Sequence, residues 1–242
     1  MHGKSSTALD AMIAKLARLS SLSDEDRLAI SSLSYSMADI PAGRDIIREG
    51  TERSECCLLV SGYACRHKLT AAGGRQIVSF QLRGDLLDVQ HLLLCRADHN
   101  VQAITNATVA WIPKAQLRAL AWQRPAVGEA LWKDSLVDAS IFREWVLNVG
   151  RRNAKSRIAH LLCEFAARCR AAGIGNDNCV DLPMSQEQIA DATGLTPVHV
   201  NRMLMLLGSE GAIKRKGRKV EISDWDLLRR IADFDPAYLH AA

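Results

Sequence analysis

Residues 184–213, MSQEQIADATGLTPVHVNRMLMLLGSEGAI, constrain the fold of this chain more than any other stretch. Ser185 and the glutamine three positions later form a capping box, which predicts the start of a short helix. Gly194 suits a turn that needs a positive φ angle. Thr196 then predicts the cap of a second helix, with Pro197 at its first position, where no backbone N–H is missed. The pattern therefore predicts two helices joined by a tight turn.

The second predicted helix has two different faces. One face carries residues at a spacing that suits inward packing, namely Val200, Met203, Leu204 and Leu207. The opposite face collects Val198, Asn201, Arg202 and Met205. This geometry predicts a helix-turn-helix, whose second helix enters the major groove of DNA and contacts base edges. There Arg202 can donate two hydrogen bonds to guanine, Asn201 can pair with adenine, and Val198 can contact a thymine methyl group.

A basic segment, AIKRKGRKVEI, follows these helices and predicts two short strands around a turn at Lys216 and Gly217. Residues 196–223 contain six basic and two acidic residues, which accounts for the entire formal net charge of +4. A basic hairpin after a helix-turn-helix is typical of a winged-helix domain, and it disfavours the alternative of two helices that only pack. The predicted DNA-binding residues are Ser185, Thr196, Pro197, Val198, His199, Asn201, Arg202, Lys214, Arg215, Lys216, Arg218 and Lys219.

The rest of the chain divides into a glycine-punctuated region and a helical one. Between about residues 40 and 113, short β-type runs alternate with glycines roughly every ten residues, as in a small antiparallel barrel or roll. After Pro125 the hydrophobic period becomes helical, with a break and hinge expected at 151–153. We predict an α+β chain with three parts: an N-terminal antiparallel β-roll with flanking helices (1–124), a long dimerisation helix with its hinge (125–152) and a C-terminal winged helix-turn-helix domain (153–242).

The long predicted helix carries two apolar stripes. The first follows a spacing of alternating three and four residues and consists of Trp132, Ser135, Ala139, Phe142, Val146 and Val149. The second, on another face, consists of Val137, Ile141 and Trp145. Two stripes need two covering surfaces, one in the same chain and one in a second copy, so the first stripe is the predicted dimerisation seam. The alternative is an amphipathic helix buried within one chain.

Composition and missing motifs disfavour other classes of protein. No apolar run approaches the roughly 18 residues of a membrane span, and charged residues interrupt the hydrophobic positions near the N-terminus, so we expect neither a span nor a signal peptide. Seven cysteines without regular spacing suit reduced thiols in the cytoplasm. No nucleophile–base motif, phosphate-binding loop or dinucleotide-binding glycine pattern is present, so we expect no enzyme.

Several of these segments together resemble the Crp/Fnr family of bacterial transcription regulators over nearly the whole chain. The segments are the roll that includes Gly84-Asp85, the long helix, RIAHLL, and QEQIADATGLTPVHVNRMLMLLGSEGAI with its wing. The resemblance implies that the β-roll is a jelly roll like cyclic-nucleotide-binding domains and can host an effector. It also implies a homodimer paired along the long helices and a pseudo-palindromic, double-stranded DNA operator. For an activator, it further implies RNA polymerase as a partner.

The expected effector region departs from the cyclic-AMP branch of that family. That branch carries a Gly-Glu-Leu stretch, where this chain has Gly84, Asp85 and Leu86, and an Arg-Ser pair, where it has Ala97-Asp98. Alanine cannot neutralise a phosphate and Asp98 repels one, so cyclic AMP is not expected as the effector. An iron–sulfur cluster is not expected either, because the N-terminal cysteines of the oxygen-sensing branch are missing.

One further segment, HLLLCRADH, is a candidate metal or haem site. It spaces His91, Cys95 and His99 so that a continuous helix places all three on one face. The alternative is a short surface helix with unrelated polar residues. The main hypothesis is thus a sequence-specific DNA-binding regulator. The alternative hypothesis is a small-molecule, metal or redox sensor whose β-roll binds the effector and whose DNA binding is conditional or secondary.

Overall fold

The computed structural model describes residues 8–175, 179–217 and 219–240. The chain forms two compact units. One comprises the residues up to Arg66 together with Gln81–Asp138, and the other comprises His67–Phe80 and the residues from Ala139 onward. One β-hairpin and the long helix each contribute residues to both units. The division into 1–124, 125–152 and 153–242 stays a prediction.

Seven strands among the described residues build the β-rich region. They are β1 (Ser36–Ile40), β2 (Asp45–Ile47), β3 (Glu55–Ser61), β4 (Ala64–Leu69), β5 (Arg75–Gln81), β6 (Asn100–Ala103) and β7 (Ala107–Pro113). They form two sheets, with the strand orders β1-β7-β3 and β2-β6-β4-β5. β7 pairs antiparallel with β1 and β3, and β2 pairs antiparallel with β6. The predicted antiparallel β-roll is confirmed.

The first unit has two hydrophobic cores on opposite faces of β3 and β7. Leu59 and Val109 face a core to which strands of both sheets contribute. Leu58 and Ile112 face a second core, formed with helices α1 (Asp10–Leu19), α2 (Asp24–Ser31) and α3 (Lys114–Gln123). Because successive side chains of a strand point to opposite faces, these two strands are apolar on both sides. Burial on both faces explains their continuous hydrophobic runs.

A long helix, α4 (Pro125–Arg151), follows α3, and α5 (Ala154–Ala171) follows α4. The break between them is set by Asn153, whose side-chain oxygen accepts a hydrogen bond from the backbone N–H of Ser156 at 3.0 Å. The predicted helical region and its break are therefore confirmed. Although α4 has 27 residues, no helix in the described ranges combines the length and apolar character that a membrane crossing needs.

The second unit contains a three-stranded sheet and three further helices. Its elements are β8 (Cys179–Asp181), α6 (Gln186–Thr193), α7 (Pro197–Ser209), β9 (Ile213–Lys216), β10 (Lys219–Ile222) and α8 (Trp225–Ala232). The strands are antiparallel in the order β8-β10-β9. Most of the β4–β5 hairpin, His67–Phe80, also belongs to this unit: Arg75 pairs with Asp191 of α6 at 2.6 Å, and the Phe80 ring packs edge-on against Trp145.

The structure corrects the prediction of a helix through His91, Cys95 and His99. Only a single 3₁₀ turn, Val89–Leu92, forms there, and β6 begins at Asn100. The residues between are held by long-range pairing: the Ala97 N–H donates to the Thr51 carbonyl at 3.0 Å, beside a bridge between Glu52 and Arg96. Extended pairing of this kind excludes a helix, so the three side chains do not share a helical face.

Candidate nucleic-acid interface

The helix-turn-helix is built from local hydrogen bonds at the predicted positions. The Ser185 hydroxyl accepts from the Gln188 N–H at 3.2 Å, and the Gln188 side chain accepts from the Ser185 N–H at 2.8 Å. Gly194 ends α6 with φ +65°, in the left-handed region. The Thr196 hydroxyl then accepts from the His199 N–H at 3.3 Å and caps α7. The predicted capping box, turn and second cap are all confirmed.

The two faces of α7 differ as predicted. Its inward residues, Val200, Met203, Leu204 and Leu207, are buried. On the outward face, Val198 and Met205 are 81% and 67% exposed, Arg202 is exposed and Asn201 is partly exposed. Since the buried face anchors the helix, the outward face can enter a groove without loss of core packing.

The wing presents its basic side chains to solvent. β9 and β10 pair Lys214 with Glu221 and Lys216 with Lys219. Their apolar residues Ile213, Val220 and Ile222 are buried, whereas Lys214, Arg215, Lys216 and Lys219 are exposed. The predicted contact Arg218 lies outside the described residues. In β10 exposed and buried residues alternate with the period of two along a strand, whereas β9 is exposed from Lys214 to Lys216.

Asn201 connects the wing to both helices, which sequence analysis missed. Its side-chain oxygen Oδ1 accepts from Gln186 Nε2 of α6 at 3.0 Å and from Arg215 Nη1 of β9 at 3.2 Å. Arg215 also donates from Nε to the Gly217 carbonyl at 3.1 Å. Arg215 therefore contacts α7 in addition to being an exposed basic residue of the wing. Sequence spacing carries no signal for a contact between residues so far apart.

Comparison with known proteins identifies the family. A model described as a Crp-like helix-turn-helix domain matches residues 156–231, and one described as a cyclic nucleotide-binding domain matches residues 38–123. The nitrogen fixation regulation protein FixK of Azorhizobium caulinodans is 31% identical over 175 residues, which are 72% of this chain and 70% of that protein. This chain belongs to the Crp/Fnr family.

Two further relatives support this assignment. The transcriptional activator protein FnrL of Cereibacter sphaeroides is 29% identical, over 80% of this chain and 79% of that protein. The structure of FixK2 from Bradyrhizobium japonicum superposes with a TM-score of 0.74 at 25% identity, covering 82% of this chain and 98% of that chain. The chain is thus a Crp/Fnr-type transcription regulator with a helix-turn-helix DNA-binding domain, as the main hypothesis predicted. The family consists of transcription regulators rather than enzymes.

In this Crp/Fnr regulator, the two stripes of α4 have different surroundings. Ile141 and Trp145 of the second stripe are buried within the chain. In the first stripe, Trp132 and Val146 are 70% and 71% exposed. The remaining members, Ser135, Ala139, Phe142 and Val149, are partly exposed. The third member of the second stripe, Val137, is partly exposed, so the chain buries that stripe at two of its three positions. The role of the first stripe as a dimerisation seam stays a prediction.

The residues of the expected effector region are engaged in structural contacts. A side chain at Gly84 would approach the Ala11 carbonyl oxygen to 2.8 Å, and φ there is +92°. The Asp85 carboxylate accepts from the Leu82 N–H at 2.8 Å and pairs with Lys15 at 2.9 Å. Lys15 also pairs with the carboxylate of Asp134. Asp85 therefore ties α1 to the roll through Lys15, and Lys15 in turn links α1 to α4.

A buried arginine, Arg66, was not singled out by sequence analysis. Its Nε and Nη2 donate to the carbonyls of Leu87 and Leu86 at 3.1 and 3.2 Å, and its Nη1 pairs with Asp138 of α4. Because its donors on these three atoms already have partners, the guanidinium serves to join the roll to the long helix. Asp98, by contrast, is 75% exposed in its side chain and pairs with His99 Nδ1 at 2.7 Å.

The three metal-site candidates have separate surroundings. His91 is buried, with Nδ1 3.2 Å from Asp88 Oδ2, and His99 pairs with Asp98, while Cys95 is exposed. Burial, followed by the charge of Arg66, lowers the pKa of His99, so that its ring is neutral at about pH 7. Within the described ranges, no three His, Cys, Asp or Glu side chains are arranged to hold a metal ion. The structure gives the metal or haem hypothesis no support.

Proposed function

We propose that this regulator binds a pseudo-palindromic operator as a homodimer and recognises each half-site with α7. The observation that carries this proposal is the outward face of α7, with Val198 and Arg202 exposed above a buried apolar face. A helix of this kind fits the major groove, whose base edges present distinct donor and acceptor patterns. Arg202 is assigned to guanine and Val198 to a thymine methyl group.

The other predicted contacts are assigned to the phosphate backbone. The start of α7 offers the backbone N–H groups of Thr196 and Val198, which flank Pro197, with His199 in the same turn, and a helix N-terminus favours an anion. Ser185 occupies the equivalent place on α6. The wing contributes Lys214, Lys216 and Lys219, all exposed, and Arg218 is included from the sequence pattern alone. These contacts add affinity but no base preference.

The dimer proposal rests on the uncovered stripe of α4. Exposed large apolar residues such as Trp132 and Val146 lie along one long helix, which suits pairing with a second copy. Two α7 helices then reach half-sites about one helical turn apart. Under this proposal 1–124 is the effector-type domain, 125–152 the dimerisation helix with its hinge, and 153–242 the DNA-binding domain.

We also assign this regulator to activation, with RNA polymerase as its partner. The support is that relatives such as FnrL and a Rhizobium leguminosarum protein are named as activators or probable activators. Cyclic AMP is not proposed as the effector. The alanine at position 97 is buried and uncharged, Asp98 repels a phosphate, and the donors of Arg66 are committed to its own chain.

The test is selection of DNA fragments by the purified protein, followed by mobility-shift titration of the selected operator. Replacing Arg202 with Ala is expected to weaken specific binding by about 1–3 kcal/mol and to relax preference at one base pair of each half-site. Arg27→Ala, which removes an exposed arginine from α2, is the matched control for charge and should leave binding unchanged. Unaltered base preference in Arg202→Ala would refute the assignment, and failure of the wild type to select any sequence would refute the proposed function.

A further inference from the structure

Asn201 is oriented by two donors that contact the same oxygen. Gln186 Nε2 lies 3.0 Å and Arg215 Nη1 lies 3.2 Å from Asn201 Oδ1. An asparagine amide can be turned either way about its last bond, and its neighbours decide which atom is which. A guanidinium only donates, so the atom that faces Arg215 has to be the oxygen. The Asn201 amide therefore has one defined orientation.

The nitrogen of the same amide, Nδ2, is the part of Asn201 that remains available to DNA. Its contact within the chain is with Met205 Sδ at 3.9 Å, and a thioether is a weak acceptor. Met205 and Val198 flank Asn201 on the outward face of α7 and are themselves exposed. Toward a groove, Asn201 thus presents a donor and no free acceptor.

This orientation conflicts with the pairing to adenine that the residue type predicts. Pairing of asparagine with adenine needs two bonds at once: the amide oxygen accepts from N6–H and the amide nitrogen donates to N7. With Oδ1 held by Gln186 and Arg215, only the donating half is available. In the major groove, guanine presents acceptors at O6 and N7 and thymine presents O4, whereas cytosine presents a donor. Adenine presents the acceptor N7 but also an N6–H2 donor beside it, for which Asn201 has no acceptor left.

We propose that Asn201 selects a keto base, guanine or thymine, and that Gln186 and Arg215 are positioning residues that set this choice. The inference rests on the proposed function and deepens it by naming the chemistry of one recognised base. It also gives a second role to the wing: through Arg215, β9 takes part in base recognition without contacting the base. Arg202, which α7 presents beside Asn201, recognises its guanine independently.

The experiment is selection from a library with randomised half-sites, using the full-length protein and variants. Asn201→Asp keeps the size of the side chain and both inward bonds but replaces the outward donor with an acceptor. At the one position whose preference depends on residue 201, we expect guanine or thymine in the wild type. Asn201→Asp should change this preference to cytosine or adenine by about tenfold, because these bases offer N4–H or N6–H donors.

The double variant Gln186→Leu with Arg215→Met tests the positioning role. It frees Oδ1, so adenine should become enriched at the same position, again by about tenfold. Lys214→Met is the matched control, since it removes the exposed cation next to Arg215 in β9 but none of the bonds to Asn201. Lys214→Met should reduce affinity for all sequences alike and leave the base preference unchanged. If Arg215 had only a structural role, the double variant would give this same result.

Two results overturn the inference while the proposed function stands. One is an operator in which the wild type already selects adenine at the position that depends on residue 201. The other is a selected sequence that remains the same in Asn201→Asp and in the double variant, each checked to be folded by circular dichroism. If the wild type enriches no sequence at all, the proposed function itself fails.

Discussion

Replacing Tyr238 with Phe removes a single hydroxyl from a buried hydrogen-bond network in the second unit. The Tyr238 hydroxyl donates to Glu164 Oε2 at 2.8 Å, and Trp145 Nε1 donates to the two carboxylate oxygens at 3.0 and 3.1 Å. Glu164 is 1% exposed. Burial and then the charge of Glu164 raise the pKa of Tyr238, so its hydroxyl remains protonated and donates. The substitution thus removes one of the donors that compensate a buried carboxylate.

The expected cost follows from the charge of the acceptor. A hydrogen bond to a charged group contributes about 1.5–3 kcal/mol, and a buried acceptor that loses its donor finds no water in exchange. The ring of the new phenylalanine can keep its edge contact with Phe234 and its stacking on His160, so little packing is lost. We therefore expect the free energy of unfolding to fall by about 1.5–3 kcal/mol at about pH 7.

The loss should depend on pH in a defined direction. Burial raises the pKa of Glu164 above its ordinary value of 4.5, and removal of the Tyr238 donor raises it further. A carboxyl with a raised folded-state pKa binds its proton more tightly when folded, so its contribution to stability is present below the unfolded pKa and is lost as pH rises through the folded pKa. The deficit of the variant should therefore be smaller at about pH 4 than at about pH 7.

Urea denaturation measures the free energy of unfolding of the wild type and the variant at each pH. The protomer concentration is kept fixed, because the stability of a dimer depends on concentration. Tyr35→Phe is the matched control: Tyr35 is 37% exposed, so the loss of its hydroxyl should change stability by less than about 0.5 kcal/mol. The reasoning is refuted if Tyr238→Phe and its control agree within about 0.5 kcal/mol near neutral pH, or if the deficit grows toward acid pH.

Two further substitutions test the turn and the seam. Gly194→Ala should lower the free energy of unfolding by about 1–2 kcal/mol, because φ there is +65°. Gly150→Ala, where the added methyl group enters open space within α4, should be neutral or stabilising. Equal denaturation midpoints for the two variants would contradict the expected strain at Gly194. Val146→Glu should shift the protein from dimer to monomer in analytical ultracentrifugation. Leu28→Glu, at a comparably exposed apolar position of α2, should leave the dimer intact. A dimer in both variants would contradict the predicted dimerisation seam.

The helix-turn-helix could be predicted because its signals are local. The Ser185 cap joins residues three apart, and Gly194 meets a backbone requirement that few other residues satisfy. The division of α7 into a buried and an outward face follows from the helical period alone. The antiparallel roll was predictable for a similar reason, since glycines mark its turns.

The segment from His91 to His99 shows where this reasoning failed. Its spacing fits a helix, yet Ala97 bonds to Thr51, a residue far away in the chain. Arg66 was missed for the same reason, because its carboxylate partner Asp138 lies 72 positions further along. A local pattern contains no information about such partners, and a long-range bond that satisfies a buried group outweighs local propensity.

For this protein, the amino-acid order alone determined where α6 and α7 begin, which face of α7 is apolar and where positive charge collects. These properties depend on side chains within about one or two helical turns of each other. Only the tertiary structure decided which atom of the Asn201 amide is bonded within the domain, because Gln186 and Arg215 come from two other elements. Base preference depends on the direction of single hydrogen bonds, and that direction is set by three-dimensional neighbours rather than by residue type.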